Sequence, residues 1–104
     1  MSKNNYKPKY TRLFRHDVIQ AQDYIAYTLC NPIAAERLVD EIDKAVERRL
    51  FNPTGYRKYH SAKDREQPYY TIRVKNYLIF YVVIGDTMEI RRFIYNKRDL
   101  TSLI

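Results

Sequence analysis

Residues 68–100 read PYYTIRVKNYLIFYVVIGDTMEIRRFIYNKRDL. Over 69–75 the side chains alternate, with Tyr70, Ile72 and Val74 on one side and Tyr69, Thr71, Arg73 and Lys75 on the other, the period of a strand buried on one face. Residues 77–84 are apolar on both faces, which predicts a central strand. Gly85-Asp86 supplies a two-residue hairpin turn, since glycine accepts a positive φ without steric cost. A last strand follows over 88–95. Its alternation puts Met88, Ile90 and Ile94 on one face, interrupted by Arg92, and Glu89, Arg91, Phe93 and Tyr95 on the other, and it leaves open which of Arg91 and Arg92 points outward. Asn96-Lys97-Arg98-Asp99 breaks the strand, and residues 100–104 suit one helical turn or a frayed tail. The stretch is therefore three antiparallel strands with a basic, aromatic end.

Upstream, the chain supplies what such a sheet needs on one face. Tyr6, Pro8 and Tyr10 alternate with Lys7, Lys9 and Thr11, a short first strand that Pro8 confines to a sheet edge or to its own start, because proline cannot donate to a ladder. From Arg12 the period changes. Phe14, Val18, Ala21, Ile25 and Leu29 form one helical stripe, with His16 off it as a solvated residue. Asn31-Pro32 then stops one helix and starts another, with Asn at N-cap and Pro at N1. The second stripe, Ala35, Leu38, Val39, Ile42, Ala45, Val46 and Leu50, runs to Asn52-Pro53-Thr54-Gly55. Its outer carboxylates, Glu36, Asp40, Glu41, Asp43 and Glu47, are interleaved with Arg37, Lys44 and Arg48, a solvated face rather than a metal cluster. Two apolar stripes cannot bury each other completely, so the sheet must receive them. Residues 56–67, YRKYHSAKDREQ, lack periodicity and read as a connecting loop or frayed edge strand with a basic lip.

Composition narrows the function. A chain of 104 residues with 45% hydrophobic content suits one domain over 1–104, since about 100 residues can bury roughly two thirds of their unfolded surface. Lone Cys30, at the end of an apolar helical stripe, excludes an internal disulfide and reads as a small buried hydrophobe. The N-terminus lacks an apolar secretory core, and no stretch approaches the ~18 apolar residues of a membrane span, so a cytoplasmic protein without a membrane partner is expected. The formal net charge is +7. It is distributed as +3 over 1–30, −1 over 31–54 and +5 over 55–104, and seven of the eleven tyrosines lie in the second half. Tyrosine interleaved with Lys and Arg suits base stacking with phosphate neutralisation, and equally suits β-strands.

Much chemistry is absent. With glycines only at 55 and 85 there is no phosphate loop or dinucleotide fingerprint. One cysteine and two distant histidines make no zinc site, and there is no Gly-x-Ser-x-Gly elbow. No metal or cofactor is expected. Arg, Lys, His and Tyr remain, groups that suit phosphodiester transfer by general acid–base catalysis and charge stabilisation.

Several segments then carry a family resemblance. Tyr24-Ile25-Ala26-Tyr27, followed by Asn31-Pro32-Ile33-Ala34-Ala35-Glu36-Arg37, looks like the DYIA and NPxAAER segments of the RelE/ParE toxins of bacterial type II toxin–antitoxin modules. Ile72-Arg73-Val74, Lys75-Asn76-Tyr77, Ile79-Phe80-Tyr81 and Arg98-Asp99 resemble that family's LRVGDYRVIY and HRRDVY stretches. The resemblance spans Tyr6 to Leu100 and implies an α+β, RelE/ParE-like fold: an N-terminal strand, an α-helical hairpin, and a three-stranded antiparallel meander completing one twisted sheet.

The resemblance also implies a toxin that arrests growth, with an acidic cognate antitoxin as partner in a hetero-oligomer. RelE-like members cleave mRNA on the ribosome, whereas ParE-like members inhibit DNA gyrase without nucleolysis. The expected reading is inhibition of translation by an endoribonuclease that binds ribosome and mRNA. The alternatives are gyrase inhibition or a degenerate toxin that only binds its antitoxin. The candidate catalytic groups are Arg73, Arg98, Lys97, Tyr95 and His60, with Lys58, Lys63, Arg65, Lys75, Arg91 and Arg92 as nucleic-acid contacts. Three positions depart from the ribonuclease pattern: Leu78 replaces an arginine, Asn96 a histidine and Thr101 a tyrosine.

Overall fold

In a computed structural model, which describes residues 6–59 and 67–97, the alternating stretches form one four-stranded sheet. The elements are β1 (Lys7–Tyr10), α1 (Arg12–Asp23), α2 (Pro32–Arg49), β2 (Tyr70–Val74), β3 (Tyr77–Ile84) and β4 (Thr87–Tyr95), with sheet order β1-β4-β3-β2. β2, β3 and β4 form the expected antiparallel meander, and β1 lies parallel to β4 at the edge, where Pro8 costs no ladder bond. β3 is central, as its two apolar faces require. Gly85 turns the β3–β4 hairpin at φ +61, and Lys75 turns β2 into β3 with a left-handed φ of 56.

Both helices pack on one face of the sheet. Phe14, Val18 and Ala21 of α1 and Leu38, Ile42, Ala45 and Val46 of α2 join Tyr70, Ile72, Val74, Ile79, Tyr81, Met88, Ile90 and Phe93 in the main core. Thr11 caps α1, accepting from the Phe14 amide at 3.1 Å, and Asn31 caps α2 through the Ala34 amide at 3.2 Å. Each cap satisfies an amide that a helix start otherwise leaves bare.

Four expectations need correction. The first helix does not continue regularly to Leu29, because α1 ends at Asp23 and residues Tyr24–Thr28 form a π-helical turn. Its wider winding takes Leu29 off the stripe, and Leu29 is exposed. Cys30 is exposed instead of buried, because it takes the left-handed position that closes the helix, with the Asn31 amide bonded to the Ile25 carbonyl at 3.0 Å. Val39 borders the core at an exposed position.

The last correction concerns β4. A bulge sets Phe80 opposite Arg92 but Tyr81 opposite Ile90, so Arg91 is the extra residue. An inserted residue reverses the alternation beyond it. Phe93 therefore faces the helices with Met88 and Ile90, while Ile94 turns to the other face with Tyr69, Phe80 and Val82.

Candidate functional site

The face of the sheet away from the helices is apolar at its centre. Tyr69, Phe80, Val82 and Ile94 form a second buried cluster, with Tyr59 and Leu78 packed on it. Phe80 is crossed edge-on by Tyr59 and by Tyr69, at centroid distances of 5.0 and 5.7 Å. Arg73 lies at the margin of this face, beside Leu78 in the β2–β3 register. It is exposed, and its Nε donates to the Lys75 carbonyl at 3.1 Å.

Tyr95 lies on the opposite face. Its register partner is Tyr77, whose ring stacks on Phe93 at 4.6 Å and meets Tyr95 edge-on at 5.6 Å, all toward the helices. The sheet therefore separates Arg73 from Tyr95. Lys97 is exposed just beyond β4, and His60 and Arg98 fall outside the described residues.

The candidate nucleic-acid contacts divide similarly. Lys63 and Arg65 lie outside the described residues, and Lys58 is exposed. Lys75 approaches Glu41 of α2 at 3.5 Å. Arg91 bonds Glu89 at 2.7 Å, and Lys9 of β1 approaches the other oxygen of that carboxylate at 3.7 Å. Burial works against the charge on Arg91, but hydrogen bonds with Glu89 and Tyr69 outweigh it and hold its pKa above the ordinary value.

Arg92 is the most enclosed of the described members of this set. It grips Asp17 of α1 through Nε at 2.8 Å and Nη2 at 3.3 Å, and the same carboxylate accepts from the Phe93 amide at 3.0 Å. β1 pairs with β4 only as far as Ile90. Asp17 thus satisfies a strand-edge donor where β1 has ended. Sequence reasoning passed over Asp17, although its place between Phe14, Val18 and Ala21 on the apolar stripe is the signal for a buried acid with a partner.

Arg49 carries the same signal, one turn beyond Ala45 and Val46. Its guanidinium stacks 3.6 Å from the Tyr56 ring centroid and donates to the Thr71 carbonyl at 3.0 Å and to the Tyr81 hydroxyl at 2.8 Å. Tyr81 in turn donates to the Pro53 carbonyl at 2.7 Å, which ties the end of α2 to the sheet.

A groove opens between the helical corner and the β2–β3 turn. Tyr24, Ile25, Leu29, Asn31, Leu38, Glu41, Lys75, Asn76, Tyr77 and Tyr95 line about 360 Å³ of it. Adjoining hollows extend it past Tyr24, Tyr77 and Tyr95 toward Asp17, and past Lys75 toward Ile33 and Arg37. Burial, reinforced by Tyr24 and Tyr95 nearby, pushes the Tyr77 hydroxyl above its ordinary pKa. Tyr24 and Leu29 of the groove, Ile33 of an adjoining hollow and Tyr27 are large apolar side chains at the surface of this corner, 51%, 55%, 63% and 78% exposed. A separate apolar groove between α1 and α2, about 340 Å³, is lined by Tyr10, Phe14, Val18, Ile19, Val39 and Ile42, with Arg15 and Asp43 at its edges. Among the described residues no group of three or more His, Cys, Asp or Glu is placed to hold a metal ion, and no helix is long and apolar enough to cross a membrane.

Comparison with known proteins places this geometry. Residues 9–100 match the family model of the ParE toxin of the type II toxin–antitoxin system parDE. No curated protein matches the chain. Among solved structures, a chain described as "Chromosomal ParDE TA system from P. aeruginosa" superposes with a TM-score of 0.71 at 18% identity, covering 89% of this chain and 98% of that one. At that identity the likeness bears on the fold alone.

Proposed function

This chain belongs to the ParE toxin family of type II toxin–antitoxin systems, and from that premise we propose that it arrests growth by binding and inhibiting DNA gyrase, without cutting RNA. As a family member it is the toxin of such a module and has an antitoxin as its partner. The ParE assignment favours gyrase as target over the ribosome.

The observation that carries the reading is the state of the cations. A ribonuclease needs several free cationic and acid–base groups converging on one phosphate. Among the described residues, Lys75, Arg91 and Arg92 are each paired with a carboxylate, Arg73 and Tyr95 lie on opposite faces of the sheet, and the face bearing Arg73 is filled by Phe80, Val82 and Ile94. Inhibition by protein–protein contact asks for none of that convergence. The α1–α2 groove, apolar with charged edges, suits an amphipathic helix of the antitoxin.

Two assays run side by side test the reading. Purified toxin added to gyrase and relaxed plasmid should block supercoiling or trap cleaved complexes. Added to a translation reaction, it should leave the message intact by primer extension. Breaks within codons together with unimpaired supercoiling would reverse the assignment.

A further inference from the structure

Resting on the antitoxin partner that family membership gives and on the α1–α2 groove as the seat of its helix, we infer that the outer edge of β4 from Phe93 to Tyr95 accepts a strand: an extended segment of the antitoxin pairs there, in line with β1. The register of the sheet carries this. The Asn96 amide donates to the Asn76 carbonyl at 2.8 Å. In an antiparallel pair every second residue bonds across, so Asn96 and Ile94 bond to β3 while Tyr95 and Phe93 turn their amides and carbonyls away from it. The Phe93 amide shows the direction, since its acceptor is Asp17 of α1. β1 occupies this lane only as far as Ile90, and Thr11 then takes the Ile90 and Arg91 carbonyls at 3.1 and 3.2 Å. Beyond it, the Phe93 carbonyl and the Tyr95 amide and carbonyl meet no hydrogen-bond partner among the described residues.

A bare strand edge selects its occupant. Backbone donors and acceptors at strand spacing are matched by another extended backbone, and by neither a helix nor a nucleic acid. Between α1 and this edge lies a hollow of about 250 Å³, lined by Asp17, Gln20, Ala21, Tyr24, Tyr77 and Phe93 with Tyr95. The alternation of an added strand sends a side chain into it, and the aromatic lining suits an apolar one. Among the described residues a second copy of the chain has no better edge to offer. Pro8 interrupts the edge of β1, and on the outer edge of β2 the Tyr69 and Thr71 carbonyls are taken by the Tyr59 amide at 2.7 Å and by Arg49 at 3.0 Å. A folded target enzyme seldom leaves a strand edge open. Three backbone hydrogen bonds are also too few to hold a partner alone, so the occupant needs an anchor nearby. The antitoxin has one, because Phe14, Val18 and Ile19 of its groove lie on the other flank of α1 from Asp17, Gln20 and Tyr24. A helix is about 10 Å across, a span that three or four extended residues cover.

The experiment uses the full-length toxin and its full-length cognate antitoxin. Hydrogen exchange resolved at single amides should show Tyr95 exchanging freely in the toxin alone and slowing by about tenfold or more in the complex. Tyr95→Pro removes the outward amide without touching the ladder to β3, and should weaken antitoxin binding by about tenfold. Arg73→Pro makes the same change on the outer edge of β2 and should bind like the unaltered toxin. Ile19→Glu, in the α1–α2 groove and 56% exposed, tests that groove by itself. Weakened binding in Ile19→Glu together with a freely exchanging Tyr95 amide in the complex would keep the groove and overturn the strand site. Protection of Tyr95 by gyrase and not by antitoxin, or in concentrated toxin alone, would give the edge to the target or to a second copy and overturn the inference equally. Full protection of Tyr95 with unchanged binding in Ile19→Glu would uphold the strand site and remove the groove.

Discussion

Asp17 and Tyr81 show how single polar groups hold this fold. Asp17 is 8% exposed and accepts from both Arg92 and the Phe93 amide. Its removal strands a partly buried guanidinium and a buried amide together, and breaking such a pair costs about 3–5 kcal/mol. Asp17→Ala should therefore unfold at much lower urea than the unaltered protein, while Asp17→Asn, which keeps an acceptor, should lose less; denaturant titration of both decides. Tyr81, fully buried, has its pKa raised above the ordinary 10.0 by burial, which the Arg49 hydrogen bond only partly opposes. The sign follows directly: the folded state holds the phenol proton more tightly than the unfolded chain, so this stability is complete below pH 10 and is lost as pH climbs through the folded value. Thermal melts at rising alkaline pH should show that loss, and Tyr81→Phe should show a shallower one. Both residues were legible in outline, Asp17 as an acid on an apolar stripe and Tyr81 within an apolar strand. Their partners were not, because Arg92 and Arg49 are 75 and 32 residues away in sequence.

At the scale of elements, the π-helical turn and the β4 bulge are where local periodicity stopped predicting faces. Each adds one residue to a regular repeat: the bulge reverses the faces of the rest of β4, and the π turn rotates Leu29 at the end of its helix off the stripe. At the helical corner the consequence is a left-handed Cys30 at φ 54 in a position that favours glycine. Cys30→Gly should stabilise the protein by about 1 kcal/mol, less the entropy glycine adds to the unfolded chain, and should raise the melting temperature without altering antitoxin binding. A lower melting temperature would show that the thiol's contact with the Tyr27 carbonyl at 3.6 Å outweighs the backbone strain. In β4 the bulge lets Phe93 stack on Tyr77 while Ile94 fills the far face. The apolar pattern of 88–95 reads equally well with or without an insertion, so only pairing with β3 could decide it.

For the whole molecule, the net charge of +7 invites a nucleic-acid reading that the arrangement of charges weakens. Cations that look free along the chain are paired across it: Lys75 with α2, Arg91 and Lys9 with Glu89, Arg92 with α1. On the proposed gyrase reading, exposed Arg73 and Lys58 should be dispensable. Arg73→Ala and Lys58→Ala should each change stability by no more than about 0.5 kcal/mol and should still arrest growth on expression. Loss of arrest in Arg73→Ala, with stability intact, would return the sheet margin to the active surface and favour nucleic acid as the target. Growth curves beside a melting measurement separate the two outcomes.

The amino-acid sequence by itself determined the element order, the central place of β3, the Asn31-Pro32 joint and the Gly85 turn, because each depends on periodicity or on backbone preferences within a few residues; Pro8 left β1 either at an edge or at its own start, and the sheet order decided the edge. It also carried the family, through the order of its short segments. Tertiary structure alone decided which arginine of the Arg91-Arg92 pair is enclosed, that Tyr95 and Arg73 face opposite ways, and that the helical corner carries large apolar side chains at its surface. Those outcomes depend on register between strands far apart in the chain, and one inserted residue reverses them.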